Sequence, residues 1–275
     1  MRTTFHLKTL AVAIATLSVA SVTNAAGLDR SGQDVTAFFQ DGTYAEAVYT
    51  YIDADVSGYD SSNNDPLNNR YERGNKTGDI AESYDFFRYG VKTDINDTFS
   101  IGVLYDEPFG AAAEYKGDNN FVANTNPADS AGEFANDPAP NDPISGGTTA
   151  ALKPAIIGAE NSTAGENTKV EVRSENLTAI LGMKLGADKN FQIYGGPVAQ
   201  RVKSDVKLRG LAYGPATSYT SHITPDQDYG WLAGISYSKP EIALKAALTY
   251  RSEIDHSMNI YESYPLAPVL SGGAL

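Results

Sequence analysis

Beyond the first 25 residues the chain has only two histidines, His222 and His256, so a search for chemistry starts there. His256 lies in Asp255-His256-Ser257, which puts an acid, a base and a hydroxyl in one tripeptide. A nucleophilic mechanism needs the base within hydrogen-bond reach of the nucleophile. On a strand, neighbouring side chains leave opposite faces, so His256 and Ser257 diverge, and the next residue on the His256 face is Met258. His222 falls in a stretch read as a loop. With no cysteine and three histidines in all, a zinc-type cluster is not expected. Asp118, Asp129, Glu133, Asp137 and Asp142 are spread along a polar stretch at spacings that match no compact calcium loop. No catalytic set, metal or cofactor is expected. A serine from another strand would still allow a lipid-modifying enzyme.

The cations within alternating stretches are more informative. Arg88, Lys92, Glu114, Arg173, Lys184, Arg201, Lys245 and Arg251 mostly fall opposite an apolar face. If the apolar face meets lipid, these residues face a lumen, since Lys or Arg at the bilayer midplane costs about 2–4 kcal/mol. A wet polar lumen is the plain reading. For an amphipathic acid, Lys245 and Arg251 would be charge-assisted partners of its carboxylate.

The elements that position them alternate with period two. From Asp228 to Arg251 the chain reads as two strands and a tight turn. One face carries Tyr229, Trp231, Ala233, Ile235 and Tyr237, then Ile242, Leu244, Ala246, Leu248 and Tyr250. Aromatics stand at the ends of that face and smaller apolar residues in its middle, the arrangement of a lipid-facing wall between aromatic girdles. A soluble sandwich hairpin also alternates. Five further strands are expected: Tyr44 to Ser57, Ser83 to Ile95, Phe99 to Lys116, Thr168 to Ala187 and Asn190 to Arg209. Links of two or three residues (Asn96-Asp97-Thr98, Asp188-Lys189, Lys239-Pro240) alternate with long polar ones, the longest from Gly117 to Asn167. Short turns at one end and long loops at the other fit an up-and-down barrel better than a Greek-key sandwich. The expected fold is an all-β, antiparallel transmembrane barrel portion of about seven strands.

Two strands are irregular. The apolar phase changes within Thr168 to Ala187, and again near Gly195, Gly196 and Pro197. A Gly-Gly-Pro run in a strand marks a bulge or kink. It would either help the wall curve or interrupt its hydrogen bonding enough to open sideways.

The first 25 residues read as an export signal. Arg2 and Lys8 precede an apolar run from Leu10 to Ala20, and Thr23-Asn24-Ala25 supplies a cleavage site. Without them the chain has 19 Lys and Arg against 34 Asp and Glu, a formal charge of −15, which disfavours nucleic acid as a partner. Residues 26–43 precede the first strand. Their apolar cluster, Val35, Phe38 and Phe39, reads equally as a turn tucked inside the domain or as a flexible arm.

Several stretches together resemble the outer-membrane long-chain fatty acid transporters of the FadL type. They are AGLDRSGQDVTAFFQDGTYAE, VKTDINDTFSIGVLYDEPFGA, NLTAILGMKLGADKNFQIYGGPVAQ, LRGLAYGPATSY and DYGWLAGISYSKPEIALKAALTYRSEIDH. The resemblance implies a fourteen-stranded barrel with residues 26–43 as an N-terminal hatch and Phe38 and Phe39 beside the ligand path. It implies a bacterial outer-membrane location and passive uptake of long-chain fatty acids or other hydrophobic molecules, with Gly195-Gly196-Pro197 as a lateral exit. The family's Asn-Pro-Ala hatch motif is missing. Residues 44–275 supply half the strands the family uses, so the expectation is a partial barrel, a fragment of a protein monomeric at full length. The alternatives are a general porin or structural barrel, the lipid-modifying enzyme, and a soluble exported sandwich.

Overall fold

The computed structural model describes residues 30–63, 70–129, 147–266 and 268; the expected export signal lies outside them. Eleven strands follow in order: β1 (Tyr44–Ile52), β2 (Ser57–Ser61), β3 (Arg73–Asp79), β4 (Tyr84–Asp94), β5 (Phe99–Asp106), β6 (Gly110–Glu114), β7 (Lys169–Leu185), β8 (Phe191–Lys207), β9 (Thr220–Lys239), β10 (Leu244–Arg251) and β11 (Ile260–Ser263). Helix α1 (Gly147–Glu160) lies between β6 and β7. The main sheet runs β1-β4-β5-β7-β8-β9-β10, with β6 added to β7 and β11 to β9, while β2 and β3 form a separate hairpin. Every pairing is antiparallel. The molecule is all-β in its framework, an up-and-down wall.

The wall curls. Lys92 on β4 and Lys245 on β10 donate to the carbonyls of adjacent residues, Gln40 and Phe39. Along the sheet those strands are five steps apart, about 24 Å at 4.8 Å per step. Side chains from both can meet one short segment only if the sheet bends round it as a half-barrel.

Burial is inverted relative to a water-soluble sheet. The convex face carries Tyr49, Tyr89, Val91, Ile101, Val103, Leu177, Leu181, Ile193, Trp231, Ile235, Leu248 and Tyr250, all exposed, with Leu248 at 71%. The concave face buries Ser100, Asn176, Thr178, Gln192, Gln200 and Ser236, with Ser100 and Thr178 fully covered. Rings gather at both ends of the convex belt. Tyr49, Phe87, Tyr89 and Tyr105 form a chain with centroids 5.1–5.8 Å apart. Trp231 and Tyr250 pair at 5.4 Å, and Phe191 and Tyr237 meet at 4.8 Å near the short turns.

Several expected boundaries change. The first strand stops at Ile52, and the β2–β3 hairpin fills the link that follows. The third strand is two strands, because Glu107-Pro108-Phe109 interrupts it. Proline has no N–H for the ladder, and β6 resumes on β7 one residue out of step: Asp106 faces Asn176 but Gly110 faces Arg173. The sixth strand begins at Thr220, so His222 is in a strand and pairs with Tyr261 instead of lying in a loop. Ile242 closes a 3-10 turn before Ala243, whose φ is +50°, and so does not belong to the apolar face of β10.

The phase changes in β7 and β8 also have a different cause. From Lys169–Lys207 to Leu185–Phe191 the two strands keep one register. No side chain switches face at Gly195, Gly196 or Pro197. The apolar pattern changes because the convex belt ends: Leu177 gives way to Glu175 and Arg173, and Pro197 and Ala199 give way to Arg201 and Lys203. Arg173 and Arg201 therefore lie on the outer side beyond the belt, not in the lumen. A register shift does occur between β8 and β9, where Val202 to Ser204 on β8 face Asp226 to Ile223 on β9, so the extra residue lies in β9.

The Gly-Gly-Pro run has a distinct effect. Pairing of β8 with β7 lapses opposite Gly196 and Pro197, between Gly195–Leu181 and Val198–Thr178, while pairing with β9 continues. A β-carbon at Gly196 would sit 1.9 Å from the Ala179 carbonyl oxygen, so this site admits only glycine without moving β7. Gly196→Ala is expected to cost about 1–3 kcal/mol through this overpacking, read as a lower urea midpoint from the fluorescence of Trp231, the single tryptophan. Gly158→Ala in α1, where a β-carbon meets nothing within 4 Å, should leave the midpoint unchanged or raised.

Candidate functional site

The concave face is occupied by residues 30–43. Asp34 starts a 3-10 turn over Thr36–Phe39, its carboxylate accepting from the Thr36 N–H at 2.7 Å and the Thr36 hydroxyl at 2.9 Å. The turn drives Val35, Ala37, Phe38 and Phe39 into one cluster with Leu104, Ile180, Tyr194, Val198 and Leu232 of the wall. Phe38 is completely buried. Its ring rests on bare backbone, since a β-carbon at Gly102 or Gly182 would come within 2.8 Å of it, and one at Gly90 equally close to Ala37. Tyr194 packs against Phe39 at 5.1 Å, ring edge to face, and its hydroxyl meets Thr249 Oγ1 at 2.6 Å. One aromatic on β8 thus ties the segment to β10.

Polar contacts ring this apolar seat. Arg88 pairs with Asp34 and also holds Glu46 at 3.2 Å. Lys92, buried, donates to the carbonyls of Gln40 at 2.6 Å and Gly42 at 3.0 Å and pairs with Asp94 at 2.7 Å. Asp94 in turn accepts from the Gly42 N–H at 2.9 Å. Asp106 accepts from the Ser31 hydroxyl at 2.8 Å. Lys245 donates to the Phe39 carbonyl, and Arg251 to the Gln33 carbonyl at 3.1 Å. Lys245 and Arg251 thus sit on the concave face, as their parity implied, but both are engaged by residues 30–43.

Two cavities flank the segment. The larger, about 520 Å³, lies between the segment and the short turns, among Lys92, Asp94, Lys184, Asp188, Lys189 and Lys245. The smaller, about 250 Å³, lies among Gln33, Asn176, Val198, Gln200, Arg251 and Ile254. Arg251 Nη1 and Asn176 Nδ2 are buried beside it with no hydrogen-bond partner among the described residues. This is a small mixed chamber, with two free donors beside aliphatic side chains. Gln200 links Asn176 to His256, which also meets Asp226 at 3.0 Å. His256 follows β10 in a stretch without strand pairing, so the alternation argument for it does not apply; its ring contacts are Asp226 and Gln200.

Sequence reading missed three parts of this site. The glycine seat was legible in principle, because Gly90, Gly102 and Gly182 all occupy inward positions of their strands. Tyr194 hid within an apolar run. The third is Arg30, whose N–H donates to the Pro108 carbonyl at 2.7 Å where β5 breaks. Its guanidinium lies against Gly110 and 4.3 Å over the Tyr84 ring, with no hydrogen-bond partner for its nitrogens among the described residues. Burial, then the nearby Arg173 charge, lower its pKa from the usual arginine value.

Fold and site together define a class: a curled antiparallel β wall, apolar outside, whose polar concave face is filled by its own N-terminal segment. No protein-family model matches the chain, and no curated protein matches it. Among solved structures it is similar to a crystal structure of a Pseudomonas aeruginosa FadL homologue, at 16% identity and a TM-score of 0.40. The alignment covers 84% of this chain and 47% of that one, so this chain spans about half its length. A likeness at that level establishes neither family nor activity.

Phe38→Ala should leave the wall folded, with Trp231 emission unchanged, but undock the segment. Limited proteolysis between residues 30 and 43 should then speed up by at least tenfold, consistent with the few kcal/mol that a buried phenyl ring contributes.

Proposed function

We propose that this chain forms wall and hatch of an outer-membrane channel for long-chain fatty acids or other hydrophobic compounds. The observation that carries the reading is the inverted burial: large apolar side chains exposed across the convex face, hydroxyls and amides covered on the concave one. In water such a face would aggregate; in a bilayer it is the required surface. On β9 the belt from Tyr229 to Tyr237 spans eight residue steps, about 26 Å along the strand and about 20 Å in height at a tilt near 40°. That is close to the lipid-facing band of outer-membrane barrels. Among the described residues no helix is long and apolar enough to cross a membrane, so strands would do the crossing.

Residues 30–43 act as the hatch. The carboxylate of an entering amphipathic acid would compete for Lys245 and Arg251, whose present partners are backbone carbonyls. A charge-assisted bond to carboxylate is stronger than one to a neutral carbonyl, so ligand entry would loosen the segment beside Phe38 and Phe39. Transport is proposed to be passive, as the family resemblance implies, with ligand competition for these contacts loosening the segment. The gap in pairing at Gly196 and Pro197 is the proposed lateral exit. A general porin is the second reading, favoured by the lysine and aspartate lining of the larger cavity.

The test is influx of a fluorescent long-chain fatty acid into cells expressing the full gene. Influx above that of control cells is expected, with a severalfold loss in Lys245→Ala/Arg251→Ala. Leak of a polar antibiotic without fatty acid influx would sink the transporter reading and favour the porin. Independently, Leu181→Arg, in mid-belt, should destabilise the chain in phospholipid vesicles by about 2–4 kcal/mol. No effect there would remove the membrane reading itself.

A further inference from the structure

The chain carries a formal charge of −13, yet one strip of its outer surface is cationic. Immediately beyond the apolar belt, on the side of the long loops, β7 and β8 continue outward with Lys169, Arg173, Arg201, Lys203 and Lys207. The pairing sets like charges side by side: Arg173 faces Lys203 and Lys169 faces Lys207, with the acids Glu171 and Asp205 facing each other between them. Directly opposed like charges destabilise a sheet unless a counter-ion joins them.

The acids in the strip do not supply it in full. Glu171 is taken by Arg173 at 2.7 Å and Lys169 at 3.7 Å, Asp205 is taken by His222 at 2.5 Å, and Lys207 reaches Glu166 only at 3.9 Å. Arg201 and Lys203 are exposed and make no ion pair among the described residues. Glu175 stands opposite Arg201 in the ladder without closing one. Arg201 is a single outward step above Ala199, the last apolar residue of the β8 belt, and Lys203 a step further. With about 3.3 Å per residue along a tilted strand, both heads lie roughly 5–10 Å above the belt edge, at the depth of lipid headgroups.

We propose that this strip, centred on Arg201 and Lys203, docks the phosphate groups of phosphorylated lipids in the leaflet facing the long loops. The inference rests on the membrane-channel reading and adds a partner to it. Two unpaired cations side by side, above an apolar wall, fit a molecule with phosphates at the headgroup and acyl chains below. Arginine binds such phosphates through paired N–H donors, and lysine as a point charge.

The experiment places the full chain in phosphatidylcholine nanodiscs doped with dansyl-labelled diphosphoryl lipid A. Energy transfer from Trp231, outward on the neighbouring β9 and opposite Pro197, reads the local lipid. Preference for lipid A over dansyl-phosphatidylcholine is expected. Arg201→Ser/Lys203→Ser should weaken it by roughly thirtyfold, from about fivefold per cation near a charged lipid surface. Arg201→Lys/Lys203→Arg should largely retain it. Lys239→Ser, at the short-turn end, should not change it. Normal insertion with no lipid A preference, or with equal preference in the double serine variant, would overturn the docking strip alone. Displacement of lipid A by millimolar inorganic phosphate would also overturn it, leaving a simple anion site. Failure of every variant and the parent to enter discs would overturn the channel reading together with the strip.

Discussion

The structure depends on a backbone constraint. A wall whose outer surface is apolar must satisfy its own N–H and C=O groups, because an apolar surrounding would offer them no partner. Antiparallel ladders do this strand by strand, and the long pairings of β7 with β8 and of β8 with β9, each broken at one local point, are its main expression here. The period of two that comes with the ladder also sorts the side chains, so every second residue is free to be polar without reaching the outside. Inverted burial follows from these two facts together.

Curling the wall creates a second demand. The concave face is lined with hydroxyls, amides and cations, and a void there would leave many of them unpaired. Residues 30–43 fill it by combining two kinds of contact. Phe38 presses onto the bare backbone of Gly102 and Gly182, while Arg88, Lys92, Lys245 and Arg251 take the segment's carboxylate and carbonyls. The apolar seat is rigid and specific; the polar ring consists of contacts that another anion could replace. On the proposed hatch reading, that division would let the segment both hold and release.

Where the ladder fails, the failures are local and have named causes. Pro108 has no N–H to give, so β5 ends and β6 restarts out of step, with Arg30 against the break. Gly196 and Pro197 interrupt pairing on one side only, and register survives because β9 still holds the strand on the other. Irregularity in this wall is thus compatible with an unbroken sheet.

Alternation and loop lengths in the sequence alone determined the fold class, the seven-strand path of the main sheet (though not β6 and β11, which join it from the side) and which residues of β9 and β10 form the outer face. Those are local properties, since a side chain's face is fixed by its parity once the strand is recognised. Parity also placed Lys245 and Arg251 on the inner side. It could not say that residues 30–43 would reach them, because contacts across more than 200 residues depend on how far the sheet curls. It misread the phase changes in β7 and β8 as irregularities of the chain. An apolar residue changes face in the pattern either when a strand bulges or when the surroundings of each face change, and only the register separates the two. The seat under Phe38 was likewise decided in three dimensions: glycines on separate strands become one surface only when the ladder sets them side by side.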